Sequence, residues 1–120
     1  MAIKWIDHRG KKVLYIDYRD RKTQPEMLQL LEDQANWMKI SPAGIFVLSN
    51  VPGTTISSEF MNKSRQFGKD VFMHKTKKSA VVGITGIKAV FMQGYQIFTG
   101  AQNSRSFQTE GEALDWLVQD

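Results

Sequence analysis

Two rhythms of apolar and polar positions alternate along this chain. The stretches "IKWID" (3–7) and "KVLYIDY" (12–18) are rich in β-branched and aromatic residues, and "HRGK" separates them. Gly10 can take the positive φ that a tight turn demands, so the pair predicts an antiparallel hairpin. After the polar "RDRKT", Pro25 sits where a first helical turn tolerates a missing N–H, with Glu26 near the positive end of the helix dipole. Met27, Leu28, Leu31, Ala35 and Met38 then recur at three- and four-residue steps, which predicts a helix with one buried stripe. Leu30 and Trp37 lie beside that stripe, where they either widen the core face or form a ridge for a partner; the core is the preferred reading. Ser41-Pro42 ends the helix, because the residue before proline disfavours the helical region.

The second half repeats the alternation. "GIFVLSN" (44–50) is a continuous apolar run, the pattern of a strand covered on both faces. Beyond the loop "VPGTTIS", the segment "SSEFMNKSRQFGKDVFMHK" places Phe60, Met61, Phe67, Val71 and Phe72 on one helical face and most of its bases on the other. Gly68 inside it costs about 1 kcal/mol against alanine and marks a kink or break. "SAVVGI" (79–84) reads as another doubly covered strand. "TGIKAVFMQGYQIF" (85–98) reads as a helix with Ile87, Val90, Phe91, Tyr95 and Phe98 inward. "SRSFQ" predicts a short edge strand. Thr109 with Glu112 three residues on has capping-box spacing, and Ala113, Leu114, Trp116 and Leu117 supply the apolar face of a last helix. The order ββαβαβαβα predicts an α/β fold: a mixed sheet of about five strands with amphipathic helices packed on it, in one domain spanning 1–120.

Composition narrows the picture only a little. The absence of cysteine excludes disulfides and thiolate-bound metal, and fits a reducing compartment. "MAIKWIDHRGKK" has no apolar h-region and no run approaches a membrane span, so a cytoplasmic location is expected. The net charge is +4, and its distribution is uneven. Residues 1–24 and 59–78 are basic, whereas "TEGEALDWLVQD" carries acids and no base. Such asymmetry is the usual mark of differently solvated faces.

Candidate chemistry is sparse. Gly83-Ile-Thr-Gly86 lacks both the Lys-Ser/Thr ending of a P-loop and the paired glycines of a dinucleotide fingerprint. It reads instead as a hinge, with Gly83 allowing a helix to pack closely on the strand and Thr85 capping that helix. His8 and His74 are far apart and lack neighbouring ligands at metal spacing. No Gly-x-Ser-x-Gly turn presents a nucleophile. Asp7 and Asp17 are the only carboxylates that hairpin pairing would bring together. The lysines of "MHKTKK" lack interleaved aromatics for stacking bases, so nucleic acid is not an expected partner. The expectation is a protein without enzymatic activity, cofactor or metal.

"IKWIDHRGKKVLYIDY", "AVVGITGIKAVF" and "FTG…SRSFQTEGEALDWL" together resemble the SpoIIAA-like group of bacterial proteins, which is similar in fold to STAS domains. The resemblance covers nearly the whole chain. It implies a regulatory or protein-interaction domain whose partner surface lies at 52–60, with Thr54, Thr55, Ser57 and Ser58 as contact residues. In the antagonists of that fold a serine after the central strand is phosphorylated; Ser58 matches it. The aspartate expected before it is absent, and Glu59 stands where a small residue is usual. An alternative implication is a carrier of a small apolar or lipid-like ligand, held by Phe60, Phe91 and Tyr95. Lys63, Lys69, Lys75, Lys77 and Lys78 would then draw it to anionic membrane. A homodimer through the Leu30/Trp37 ridge or an unpaired sheet edge is also compatible with the pattern.

Overall fold

The structure is a computed structural model and describes residues 2–21, 23–51, 57–83 and 104–119. Its sheet has five strands in sequence order: β1 (Ile3–His8), β2 (Lys11–Asp17), β3 (Ile45–Asn50), β4 (Thr76–Val82) and β5 (Ser104–Phe107). β1 and β2 form the expected antiparallel hairpin, and β2 to β5 run parallel to one another. The hairpin turn holds Arg9 as well as Gly10 at positive φ, 51° and 81°, the pair of left-handed residues that matches the twist of the flanking strands. Three helices follow strands: α1 (Gln24–Lys39) after β2, α2 (Ser58–Phe67) after β3 and α3 (Glu110–Val118) after β5. The helix expected over 85–98 lies outside the described residues. No helix of the described residues is long and apolar enough to cross a membrane.

Strand alternation divides the core between two faces. Leu14, Ile16, Val47 and Val81 meet α1 and α2, whereas Val13, Tyr15, Leu48, Ala80 and Val82 meet α3. Because β2 and β3 are buried on both sides, their apolar runs are nearly continuous rather than alternating. β4 is sheathed only over its second half: Ala80–Val82 are buried, while Thr76–Ser79 are not. A bulge at Lys77, opposite the Ile45/Phe46 step, sets off that open half.

On α1 the buried stripe is Met27, Leu30, Leu31, Gln34, Ala35 and Met38. Leu30 therefore belongs to the core, and Trp37 packs half-buried at its margin. Gln34 sits on the stripe because the buried Tyr18 hydroxyl donates to its Oε1 at 3.0 Å, giving both polar groups a partner. Thr23 caps the helix: its hydroxyl accepts from Glu26 N at 3.3 Å and donates to the Glu26 carboxylate at 2.9 Å. The same arrangement joins Thr109 and Glu112 at the start of α3, as their spacing predicts.

α2 continues through a π-helical turn, Gly68–Phe72, into a last turn, Met73–Lys75. The irregularity falls at Gly68, where the sequence marks one. Phe60 and Met61 reach the core from α2 itself, and the widened turn brings Val71 to the core as well. Phe67 and Phe72 stay half-buried with ring centroids 6.2 Å apart.

Gly83 has a cause different from the helix packing expected of it. Its φ is 99°, and a Cβ there would collide with the carbonyl oxygen of Val51. The close approach arises because the Val51 N–H donates to Val82 O at 2.9 Å, which draws the two strand exits together. Gly83→Ala is expected to destabilise the fold by on the order of 3 kcal/mol in urea unfolding, through backbone strain plus collision. Gly10→Ala, also at positive φ but with open space around it, is expected to cost about 1 kcal/mol. Equal losses at the two sites would contradict the close approach.

Candidate functional site

The parallel strands end at Asp17, Asn50, Val82 and Phe107, and α1, α2 and α3 all begin at this edge. In open parallel sheets this is the edge at which ligands and partners are met, because loops and helix N-termini gather there. The starts of α1 and α2 are tied together by Ser57. Its hydroxyl accepts from Phe60 N at 3.1 Å as the N-cap of α2, and donates to Gln24 Oε1 at 2.6 Å. Ser58 is the first helical residue and is exposed. The adjacent serines thus divide: Ser57 is a half-buried tie, and Ser58 presents its side chain outward. Thr54 and Thr55 lie outside the described residues.

Beneath this edge, on the α3 side of the sheet, is a polar network with no forewarning in the sequence pattern. The Tyr15 hydroxyl donates to Glu110 Oε1 at 2.6 Å, and Asn50 Nδ2 donates to the same oxygen at 2.7 Å. Asn50 Nδ2 also lies 3.3 Å from the Tyr15 hydroxyl, so three elements, β2, β3 and α3, are pinned at one point. Burial raises the Tyr15 pKa above the ordinary tyrosine value, and its bond to Glu110 raises it further. Nearby, Asp17 accepts both Arg19 Nε at 2.9 Å and an Arg19 terminal nitrogen at 2.8 Å. These bonds hold the Asp17 carboxyl below its usual range.

Asp7 and Asp17 do not meet. Asp7 pairs opposite Lys12 near the hairpin turn, and Asp17 is at the other end of β2. Asn50 and Glu110 were hidden in the sequence for a physical reason. Asn50 closes an apolar run and reads as a strand terminator, and Glu110 reads as an ordinary acid in a first helical turn. Only the crossing of α3 over β3 joins them.

The aromatic and basic candidates scatter. Phe60 is buried and meets Tyr18 edge-on, with centroids 5.7 Å apart, so its ring is part of the packed core. Phe91 and Tyr95 lie outside the described residues. An open groove of about 430 Å³ exists elsewhere, between β1 and the flank of α1, lined by Ile3, Arg21, Leu30, Asp33 and Trp37 among others. Of the five lysines, Lys63, Lys69 and Lys77 are exposed. Lys75 donates to Ser41 O at 2.6 Å, and Lys78 donates to Trp116 O at 3.0 Å and Gln119 O at 2.9 Å. Lys78 therefore completes the C-terminus of α3 as well as carrying charge, and Lys75 clamps the turn that follows α1. Among the described residues no group of three or more His, Asp or Glu side chains gathers as a metal site.

Comparison with known proteins yields no matching family model, no matching curated protein and no matching solved structure.

The network predicts a pH signature. A tyrosine whose folded pKa is raised contributes stability that is complete below the unfolded pKa, about 10, and is lost as pH rises through the folded value. Tyr15→Phe is expected to lower stability by about 1 kcal/mol at neutral pH and to remove that alkaline component from urea midpoints measured between neutrality and about pH 11. For Asp17 the sign reverses: its contribution is present above the unfolded carboxyl pKa and fades as pH falls through the depressed folded one. Arg19→Gln should therefore remove part of the acid limb and leave the alkaline limb as in the parent chain.

Proposed function

We propose that this chain is a non-enzymatic, STAS-like regulatory domain that meets a protein partner through residues 52–60, which include the first turn of α2. The observation that carries the reading is the division of labour between Ser57 and Ser58. Ser57 fixes the geometry of the helix start through Phe60 and Gln24, and Ser58 stands exposed on that fixed support. The α/β fold with its mixed five-stranded sheet supports the reading, since the resemblance implies a mixed sheet of about five strands with amphipathic helices. The chemistry at Ser58 is permissive. A phosphate there adds roughly −1.5 to −2 charge beside a helix N-terminus, where the dipole favours it, and changes the surface a partner reads without disturbing the cap below. The carrier reading has less support, because Phe60 is packed against Tyr18 rather than facing unfilled space.

Affinity capture with the parent chain, Ser58→Ala and Ser58→Asp, compared by quantitative mass spectrometry, tests this. Parent and Ser58→Ala are expected to retain the same partner set. Ser58→Asp is expected to change its recovery by about tenfold, the effect of making or breaking roughly one charge-assisted hydrogen bond. Identical recovery with all three chains counts against the proposal. Ser57→Ala is expected instead to lower stability by about 1 kcal/mol in thermal or urea unfolding, as loss of an N-cap does.

A further inference from the structure

The fold gathers bases at one end of the sheet, whereas the other end mixes acids with Arg19 and Arg21. At the edge where the helices begin stand Glu26, Glu59, Glu110 and Glu112, each in the first turn of its helix. At the opposite edge, where β2 to β5 begin, stand Lys11 and Lys12 beside the hairpin turn, Lys39 at the end of α1, and Lys75, Lys77 and Lys78 at the entry to β4, while Arg9 of the turn is paired with Asp115 at 3.3 Å. Helix capping accounts for part of this basic end. Lys11 donates to Val118 O at 3.1 Å, and Lys75 and Lys78 donate to the carbonyls named above. These acceptors are neutral carbonyls, so capping does not cancel the charges of Lys75 and Lys78.

Capping does not explain what lies among the bases. Ile40 is 87% exposed and Met73 is 49% exposed, two of the large apolar side chains most open to solvent among the described residues. They belong to neighbouring turns, because Gly44 N donates to Lys75 O at 2.9 Å and Lys75 Nζ reaches Ser41 O, clamping the end of α1 to the end of the 58–75 helical segment. Pro42 and Ala43 between them are exposed as well. Lys39 and His74 stand exposed on these helix ends, Lys69 on the preceding π-helical turn with Asp70 as its acid, and Lys77 at the entry to β4.

We infer that this end of the molecule docks on an anionic membrane surface, with Ile40 and Met73 inserting among the headgroups and Lys39 and Lys69 lying over the lipid phosphates. Charge complementarity selects the occupant. A second copy would set two basic ends against each other, and like charges at an interface repel. The two apolar side chains project into solvent from the ends of two helical segments. Insertion of single apolar side chains into a bilayer interface needs no complementary pocket, and each nearby lysine adds attraction to anionic lipid. The inference is independent of the partner surface proposed at Ser58, which lies at the other sheet edge. Together the two readings describe a domain held to a membrane at one end and free to meet a protein at the other.

Vesicle flotation of the full chain tests it, with vesicles of phosphatidylcholine alone and of phosphatidylcholine with about one third phosphatidylserine. The chain should float with the anionic vesicles, remain behind with the neutral ones, and detach at about 1 M salt, where screening shortens to about 3 Å. Ile40→Ser combined with Met73→Ser should lower partitioning by about tenfold or more. Lys39→Glu with Lys69→Glu should do the same by removing attraction. Trp5→Ser, at an apolar residue 40% exposed on β1, should leave partitioning as in the parent chain. All substituted sites are largely solvent-facing, and circular dichroism melts verify that each variant folds. Equal binding to neutral vesicles, absence of binding to either, unchanged partitioning of the Ile40/Met73 variant, or an equal loss with Trp5→Ser would each overturn the inference. So would a fall in subunit number on native mass spectrometry of the Ile40/Met73 variant, since a second copy would then be the occupant.

Discussion

Backbone N–H and C=O groups in β2 and β3 have little but neighbouring strands to bond, because apolar side chains shut water out on both faces. Leu14, Ile16 and Val47 close one side, and Val13, Leu48 and Ala80 close the other. Unpaired buried amides cost too much to persist, so the parallel ladder must form in register or not at all. Everything with functional character is displaced to the two ends of that ladder. Strand exits draw together so closely that Gly83 has no room for a side chain beside Val51, and the helix starts at that edge inherit fixed positions.

The two ends differ in kind because helices have direction. α1, α2 and α3 start at one edge and present unsatisfied N–H groups there, which Thr23, Ser57 and Thr109 cap and acids complement. At the other edge Lys78 and Lys11 meet the last carbonyls of α3, and Lys75 meets Ser41 O in the turn that follows α1. A single architectural fact, the described helices running back against parallel strands, thus gathers first-turn acids at one end and lysine caps at the other. The Tyr15–Asn50–Glu110 knot fastens α3 at the first, and lysine caps fasten it at the second. α3 covers its face of the sheet with a short apolar stripe, Ala113, Leu117 and Val118, so these polar fastenings fix its placement over the strands.

Much of the fold was legible because local physics repeats along the chain. The hairpin, the stripe of α1, the break at Gly68 and the Thr109–Glu112 cap each depend on residues within a few positions of one another. Doubly covered strands were readable from unbroken apolar runs, although β4 is sheathed over only half its length. Less of the candidate site could be read. Ser57 and Ser58 look equivalent in sequence, and only the approach of Gln24 from α1 separates a tie from an exposed hydroxyl. The lysines of 63–78 look like one basic surface, but two of them bond carbonyls contributed by distant segments.

What the sequence by itself determined is the identity and order of the elements described and the side each turns to the core, since periodicity and caps act over a few residues. The tertiary structure alone decided which ends coincide. Glu110 meets Tyr15 across 95 positions, and Lys75 meets Ser41 across 34. Such meetings have no local signature, because they are set by how helices cross a sheet once its two faces are sealed.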